Sequence, residues 1–184
     1  PFPEEMNRKL TGNIADLHFC PTLKNRKNLE NEKLSGEFYI TGNTVIDALK
    51  TTIKDDYQFK NEFLANYTFP KRTILLTAHR RENYGEPFEN IFKAVNKITA
   101  TFEDVEVIYP VHLSPVVRDM ANSFLGENPR VHLIEPIDVD DMHNLMSRCY
   151  LVLTDSGGLQ EEAPSLGKPV LVLRDTTERP EAVE

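Results

Sequence analysis

Three small residues in a row, Ser156, Gly157 and Gly158, directly follow an apolar run and could bind a phosphate group. Backbone N–H groups in a turn before a helix attract anions because they lack partners and carry a partial positive charge. Glycine lets a ligand approach the backbone closely, although a glycine pair also serves simply to turn a tight corner. Glu162 follows about one helical turn later, either pointing back toward a ligand or lying in solvent as most helix carboxylates do.

A second cluster of reactive side chains, residues 78–83, contains His79 and follows another apolar, β-branched run. A histidine at the end of a strand could donate a hydrogen bond or a proton to a departing phosphate. A single loop histidine beside two arginines is equally typical of an ordinary solvated surface. The pattern therefore leaves both interpretations open.

A third candidate is the pair Glu4 and Arg8, which lie four positions apart just after Pro3. Proline followed by acidic residues favours a helix start, and the spacing puts both side chains on one helical face. A carboxylate held beside a guanidinium stays ionised and could act as a base. A surface ion pair worth less than about 1 kcal/mol explains the same spacing.

The elements that must position these residues alternate along the chain. The pattern predicts strands at residues 17–20, 38–40, 73–77, 105–109, 131–134 and 150–153 and from Val170, with helices at residues 23–34, 45–53, 88–101, 116–124 and 140–148. Continuously apolar strands separated by helices are typical of a doubly wound parallel α/β sheet. Ligands of such sheets bind at the carboxyl ends of the strands, so the His79 and Ser156 loops are expected at one edge.

Composition narrows the function classes. A net charge of −8 over 184 residues argues against electrostatic binding of nucleic acid. The chain contains no run of the roughly 20 apolar residues that a membrane span requires and no charged-then-apolar leader, which together indicate a cytoplasmic protein without a membrane partner. Cys20 and Cys149 are isolated and are predicted to be buried free thiols.

Two cofactor classes are not indicated by the sequence. No strand is followed by the G-x-G-x-x-G pattern of dinucleotide-binding proteins, so a nicotinamide cofactor is not expected. The histidines at positions 18, 79, 112, 132 and 143 show no ligand spacing, so no metal is expected either.

Four segments in order resemble the signature of the non-hydrolysing UDP-N-acetylglucosamine 2-epimerases. They are PFPEEMNR (residues 1–8), LLTAHRREN (residues 75–83), YPVHLSPVVR (residues 109–118) and TDSGGLQEEAPSLGKPVLVLRDTTERPE (residues 154–181). The resemblance spans practically the whole chain and implies a fragment of a two-domain enzyme of the glycosyltransferase-B type. Residues 1–55 would be the end of the first Rossmann-like domain plus the interdomain passage, and residues 56–184 the second, UDP-binding domain, incomplete at its C-terminus.

The resemblance also implies an activity and its residues. The expected reaction interconverts UDP-N-acetylglucosamine and UDP-N-acetylmannosamine, supplying precursors of cell-surface polysaccharides, through elimination and re-addition of UDP. Glu4, Arg8 and His79 would be catalytic. UDP would be bound by Met142 in the uracil-bordering segment 136–142 and by Ser156, Gly157, Gly158, Glu162 and Arg179. A regulatory nucleotide-sugar site would use Arg80, Glu82 and His112.

Neither cofactor nor metal is expected for this chemistry, and the full-length enzyme is expected to be a homodimer. Two alternatives stay open. A hydrolysing relative would use the same nucleotide loops but release free N-acetylmannosamine. The 184 residues by themselves are expected to bind a nucleotide sugar without catalysis.

Overall fold

The computed structural model describes residues 3–177. The chain divides into two compact units, residues 1–48 and residues 49–184. This division falls inside a helix, Thr44–Thr52, close to the predicted interdomain passage. No helix within residues 3–177 is long and apolar enough to cross a membrane.

The first unit contains a small parallel sheet with two helices. Its elements are α1 (Glu4–Ile14), β1 (Leu17–Cys20), α2 (Leu23–Asn31) and β2 (Glu37–Ile40), followed by the start of α3 (Thr44–Thr52). β1 and β2 pair in parallel. Helix α2 ends three residues before the predicted Leu34, because the chain turns at Lys33 with φ of 56°. Gly36 has φ of 104°, and a β-carbon there would lie 2.6 Å from the carbonyl oxygen of Asp16.

The second unit contains the larger sheet and its covering helices. Its elements are α4 (Glu62–Asn66), β3 (Arg72–Thr77), a 3-10 turn (Arg81–Asn83), α5 (Glu86–Thr101), β4 (Val105–Pro110), α6 (Pro115–Leu125), β5 (Val131–Ile134), α7 (Val139–Arg148), β6 (Leu151–Thr154), α8 (Leu159–Ser165) and β7 (Val170–Val172). The predicted strands and helices of this unit agree with these bounds within two residues at nearly every end. Helix α4 was not predicted; the Asn61 side chain caps it by accepting from the Leu64 amide at 3.1 Å.

The five strands are all parallel and lie in the order β5-β4-β3-β6-β7. The chain therefore starts in the middle of the sheet at β3, builds outward to β5, and returns to the other side of β3 with β6. In a parallel sheet whose strand order reverses in this way, a crevice opens between the loops on either side of the reversal point. Ligands of such sheets bind in this crevice. The strand order reverses between β3 and β6, and the loops that follow these two strands carry His79 and Ser156.

The core of this unit explains why the edge is rigid. Alternate β3 residues, Ile74 and Leu76, face the apolar sides of α5 and α6, while Leu75 between them points to the opposite face of the sheet. All three side chains are buried. Because the central strand is covered on both faces, the loops that follow β3 and β6 begin from fixed positions.

Candidate functional site

The ends of β3 and β6 are tied together directly. Thr77 and Thr154 are partners in the strand register, and their hydroxyl oxygens lie 2.6 Å apart. The Asp155 amide donates to the Thr77 carbonyl oxygen at 3.1 Å, which extends the pairing by one residue. The two candidate loops, one from each strand, therefore start side by side, at the shared edge that the sequence predicted.

A buried carboxylate, Asp155, joins the loops beyond the strands. Its Oδ2 accepts hydrogen bonds from the amides of His79 and Arg80, both at 2.8 Å, and from the Asn83 side chain at 3.0 Å. Its Oδ1 lies 3.3 Å from Nδ1 of His79. Burial opposes ionisation, but the His79 ring and the two amides outweigh it and lower the pKa of Asp155. The site thus contains a fixed negative charge at the base of the His79 loop.

The His79 ring also contacts a second histidine. His112, in the loop after β4, stacks on it with ring centroids 5.4 Å apart and ring planes 16° apart. The Ser114 amide donates to Nδ1 of His112 at 3.1 Å, which fixes that ring in turn. The side chain of His79 is nevertheless 38% exposed, so a ligand at the sheet edge can reach it.

The Ser156 loop presents backbone rather than side chains. The Ser156 amide donates to the Thr154 hydroxyl at 2.9 Å and is not available to a ligand in this state. The amides of Gly157 and Gly158 have no acceptor among the described residues. Gly158 is exposed with φ of −64° and directly precedes α8. Of the two glycines, Gly157 is buried and Gly158 is exposed, so the anion-binding role predicted for the loop is better suited to the Gly158 amide than to Ser156.

The carboxylate of Glu162 turns back from α8 toward the loop. A β-carbon on Gly158 would lie 3.1 Å from its Oε1. Its Oε2 lies 3.6 Å from Nε2 of the buried His143, whose Nδ1 is 2.8 Å from the Thr52 hydroxyl. Burial raises the pKa of Glu162, and the nearby His143 only partly opposes this.

The raised pKa of Glu162 is relevant to whether this residue stabilises the fold or binds a ligand. A carboxylate with a raised folded-state pKa favours folding at a pH below its unfolded value, and this contribution is lost as the pH rises through the folded value. The burial that raises the pKa of Glu162 opposes ionisation of its carboxylate, and carboxylates perturbed in this way are enriched at binding sites.

Helix α7 carries Met142, which is half-buried in its first turn. The Asp138 side chain caps the helix by accepting from the Asp141 amide at 2.9 Å. Asp141 in turn accepts from the amides of Lys60 and Asn61 at 3.0 and 2.8 Å. These bonds fix the start of α7 and therefore the position of Met142. Met142 directly precedes His143 in the sequence.

Comparison with known proteins identifies relatives over the whole chain. The family model of UDP-N-acetylglucosamine 2-epimerase matches residues 1–184. The UDP-N-acetylglucosamine 2-epimerase of Bacillus subtilis is 59% identical over 185 residues, covering 100% of this chain and 48% of that protein. The UDP-GlcNAc 2-epimerase structure from Neisseria meningitidis bound to UDP-GlcNAc has a TM-score of 0.89 and 44% identity, covering 100% of this chain and 51% of that one. The S. aureus MnaA-UDP co-structure has a TM-score of 0.87 and 53% identity, covering 100% and 48%.

The chain belongs to the UDP-N-acetylglucosamine 2-epimerase family. It spans about half the length of the curated relatives it matches. The predicted family is confirmed, and so is the fold class, an α/β fold with parallel, Rossmann-like sheets in a family of the glycosyltransferase-B type. The individual site residues stay predictions.

Glu4 and Arg8 lie on α1 in the first unit, but they do not form the pair that their spacing suggested. Arg8 Nη2 lies 2.8 Å from Glu5 Oε1 and 2.7 Å from Glu32 Oε1. Positions i and i+3 are also neighbours on a helix, and Glu32, just beyond the end of α2, approaches the same guanidinium. The hydrogen bond from Arg8 lowers the pKa of Glu5. The carboxylate that Arg8 keeps ionised is therefore that of Glu5.

The residues predicted for the regulatory site are divided between two environments. His112 stacks on His79, and Arg80 donates its amide to Asp155, so both are joined to the candidate catalytic loop. Glu82 instead accepts from Arg174 Nε at 2.6 Å and borders a cavity of about 500 Å³ that Asn83 also lines. Arg179, predicted to contact the nucleotide, lies outside the described residues.

Two site features were not found from the sequence. Asp155 was passed over within the Thr-Asp-Ser-Gly-Gly run, although an acidic residue at the carboxyl end of a buried strand was the available signal. His143 gave no local signal, because its link to Glu162 joins two different helices, α7 and α8, and depends on how they pack. Among residues 3–177, no group of three or more His, Cys, Asp or Glu side chains is arranged to hold a metal ion.

Proposed function

We propose that this epimerase-family chain is the UDP-binding part of an enzyme that interconverts UDP-N-acetylglucosamine and UDP-N-acetylmannosamine. The observation that carries the proposal is the side-by-side start of the His79 and Ser156 loops at the point where the sheet reverses direction. A relative of 44% identity, with a TM-score of 0.89, was solved with UDP-GlcNAc bound. The activity would supply precursors of cell-surface polysaccharides in the cytoplasm, and the full-length enzyme would act as a homodimer.

Binding would be divided among the loops of the second unit. The glycine amides of the Ser156 loop would hold the diphosphate, with Arg179 also facing the nucleotide. Glu162 would accept hydrogen bonds from the ribose hydroxyls, and Met142 would border the uracil. Residues 1–55 would be the end of a first domain and residues 56–184 a second, nucleotide-binding domain. Arg80, Glu82 and His112 would serve a regulatory nucleotide-sugar site.

The chemistry would be an elimination followed by an addition. A base removes the C2 proton, the electrons of that C–H bond form a C1=C2 double bond, and the C1–O electrons leave with UDP. UDP then adds back at C1, and a proton returns to the opposite face of C2. Glu4 and Arg8 would both belong to the acid/base set without pairing with each other, because Arg8 is bound by Glu5 and Glu32. His79 would stabilise the departing diphosphate. Atoms and electrons balance without an oxidant or a reductant.

Product analysis in deuterated water tests this function. A protein of the relatives' full length that contains this sequence is incubated with UDP-N-acetylglucosamine and followed by NMR. We expect UDP-N-acetylmannosamine carrying deuterium at C2, with no accumulation of free sugar. Free N-acetylmannosamine together with UDP would identify a hydrolysing enzyme, and bound substrate without deuterium exchange would leave a binding protein; either result contradicts the proposal.

The 184 residues by themselves are proposed to bind nucleotide without catalysis. Elimination requires the base, C2 and the departing diphosphate to be held together, and a misplacement of about 1 Å can lower the rate roughly a hundredfold. The chain spans 48% of the Bacillus subtilis relative. Deuterium exchange at C2 by the 184-residue chain at the rate of a full-length enzyme would contradict this point.

A further inference from the structure

The buried carboxylate of Asp155 lies at the base of the His79 loop. Its negative charge is not required to form the turn of that loop. Asp155 is 0% exposed, and removing a carboxylate from water costs several kcal/mol unless other groups compensate. Its Oδ2 is fully used by the amides of His79 and Arg80 and by the Asn83 side chain. A neutral amide oxygen could accept from the same three donors, although a carboxylate binds each of them more strongly. The other oxygen offers a further reason for a charged residue at this position.

The other oxygen faces the imidazole of His79. Asp155 Oδ1 is buried and has no aligned hydrogen-bond donor among the described residues. His79 Nδ1 lies 3.3 Å from it, an ion-pair distance that a small ring rotation converts into a hydrogen bond. A buried carboxylate oxygen left without a donor is costly, which favours donation by the ring. Stacking on His112 limits the ring's other movements.

We propose that Asp155 is a positioning residue that sets the tautomer and orientation of His79. This inference rests on the proposed function only in giving His79 a role toward the diphosphate. A carboxylate beside Nδ1 requires a proton on Nδ1, because two facing acceptors repel. The neutral ring then has its lone pair on Nε2, the nitrogen directed away from Asp155. When Nε2 takes up a proton, Asp155 stabilises the resulting imidazolium, whose N–H can hydrogen-bond to the departing diphosphate.

The variant Asp155→Asn separates this role from simple anchoring of the loop. Its amide oxygen can still accept from the two backbone amides and from Asn83. Its NH₂ group replaces Oδ1 and would donate to Nδ1 of His79, which moves the ring proton to Nε2. A matched control is Asn83→Ala, which removes one donor to Oδ2 and leaves the contact between Oδ1 and the ring unchanged.

The tautomer is measured by ¹⁵N NMR of the histidine-labelled 184-residue chain, with His79 assigned by the signals lost in His79→Gln. We expect the neutral ring to carry its proton on Nδ1 in the wild type and in Asn83→Ala, and on Nε2 in Asp155→Asn. A wild-type ring protonated on Nε2 overturns the proposal, whether or not the variant folds. An unchanged tautomer in folded Asp155→Asn overturns it as well.

A kinetic readout distinguishes a positioning role from a structural one. In a full-length enzyme, Asp155→Asn is expected to lower kcat by about a hundredfold or more, because the wrong tautomer is presented to the substrate. UDP affinity is expected to change by less than about threefold. Equal losses in kcat and UDP affinity would overturn the proposal. Absence of UDP binding in a wild-type chain with the expected tautomer would instead contradict the proposed function and leave the role of Asp155 standing.

Discussion

Replacing His79 with alanine in the full-length enzyme is expected to lower kcat by about two to three orders of magnitude while KM changes little. In the proposed elimination, negative charge would develop on the diphosphate only as the C1–O bond breaks, so a group that stabilises this charge would act mainly in the transition state. His79 has the geometry for this role, since its ring lies beside the buried Asp155 at one nitrogen and its side chain is 38% exposed. Initial rates over a range of UDP-N-acetylglucosamine concentrations measure both constants.

The control for this prediction is Arg81→Ala in the same loop. Arg81 is exposed, lies two residues from His79, and no role in the site is assigned to it. We expect its kcat to remain close to that of the wild type. A His79→Ala enzyme with normal kcat and only a raised KM would reduce His79 to a binding residue, and the elimination step would need another group at the diphosphate.

Gly158→Val is expected to weaken UDP binding by at least about tenfold, equivalent to about 1.4 kcal/mol. Gly158 has φ of −64° and is exposed, so its backbone tolerates a side chain and the variant should fold. Its β-carbon would nevertheless lie 3.1 Å from Glu162 Oε1 and 4.0 Å from the Ser156 hydroxyl oxygen. A branched side chain there obstructs the approach of a phosphate to the backbone amides. Calorimetric titration with UDP measures the change.

Two further variants make the Gly158 result specific. Gly158→Ala adds only the β-carbon and should give an intermediate affinity. Ser165→Val, at the exposed end of α8, tests whether any β-branched residue in the helix disturbs binding, and it should retain the wild-type affinity. Unchanged UDP affinity in a folded Gly158→Val protein would exclude the Ser156 loop from the site.

The larger sheet was predictable because its strands carry the signal locally. Residues such as Ile74, Leu75 and Leu76 are apolar without alternation, which is typical of a strand buried on both faces. Once the strands are parallel and alternate with helices, their carboxyl ends share one edge. The shared edge of the His79 and Ser156 loops was therefore predictable from the sequence, whereas their direct adjacency depends on the strand order of the sheet.

The features that were not predicted depend on contacts between distant residues or on competition between neighbours. Asp155 and His79 are 76 positions apart in the sequence, yet the His79 amide donates to the Asp155 carboxylate. Glu4 and Glu5 are both close enough to Arg8 on a helix, and only the three-dimensional structure decides in favour of Glu5, with Glu32 as the second partner. Helix α4 is too short, at 5 residues, for a hydrophobic period to be read.

The central claim, that the carboxyl edge of the larger sheet binds UDP, is tested most directly by titrating UDP into the ¹⁵N-labelled 184-residue chain and following the backbone amide signals. The amides of Gly157 and Gly158 should show the largest shifts, with His79 and Glu162 next. UMP, which lacks the second phosphate, should bind more weakly and shift the glycine amides less. Saturable shifts confined to other parts of the chain, or none up to millimolar UDP in a folded protein, would contradict the account.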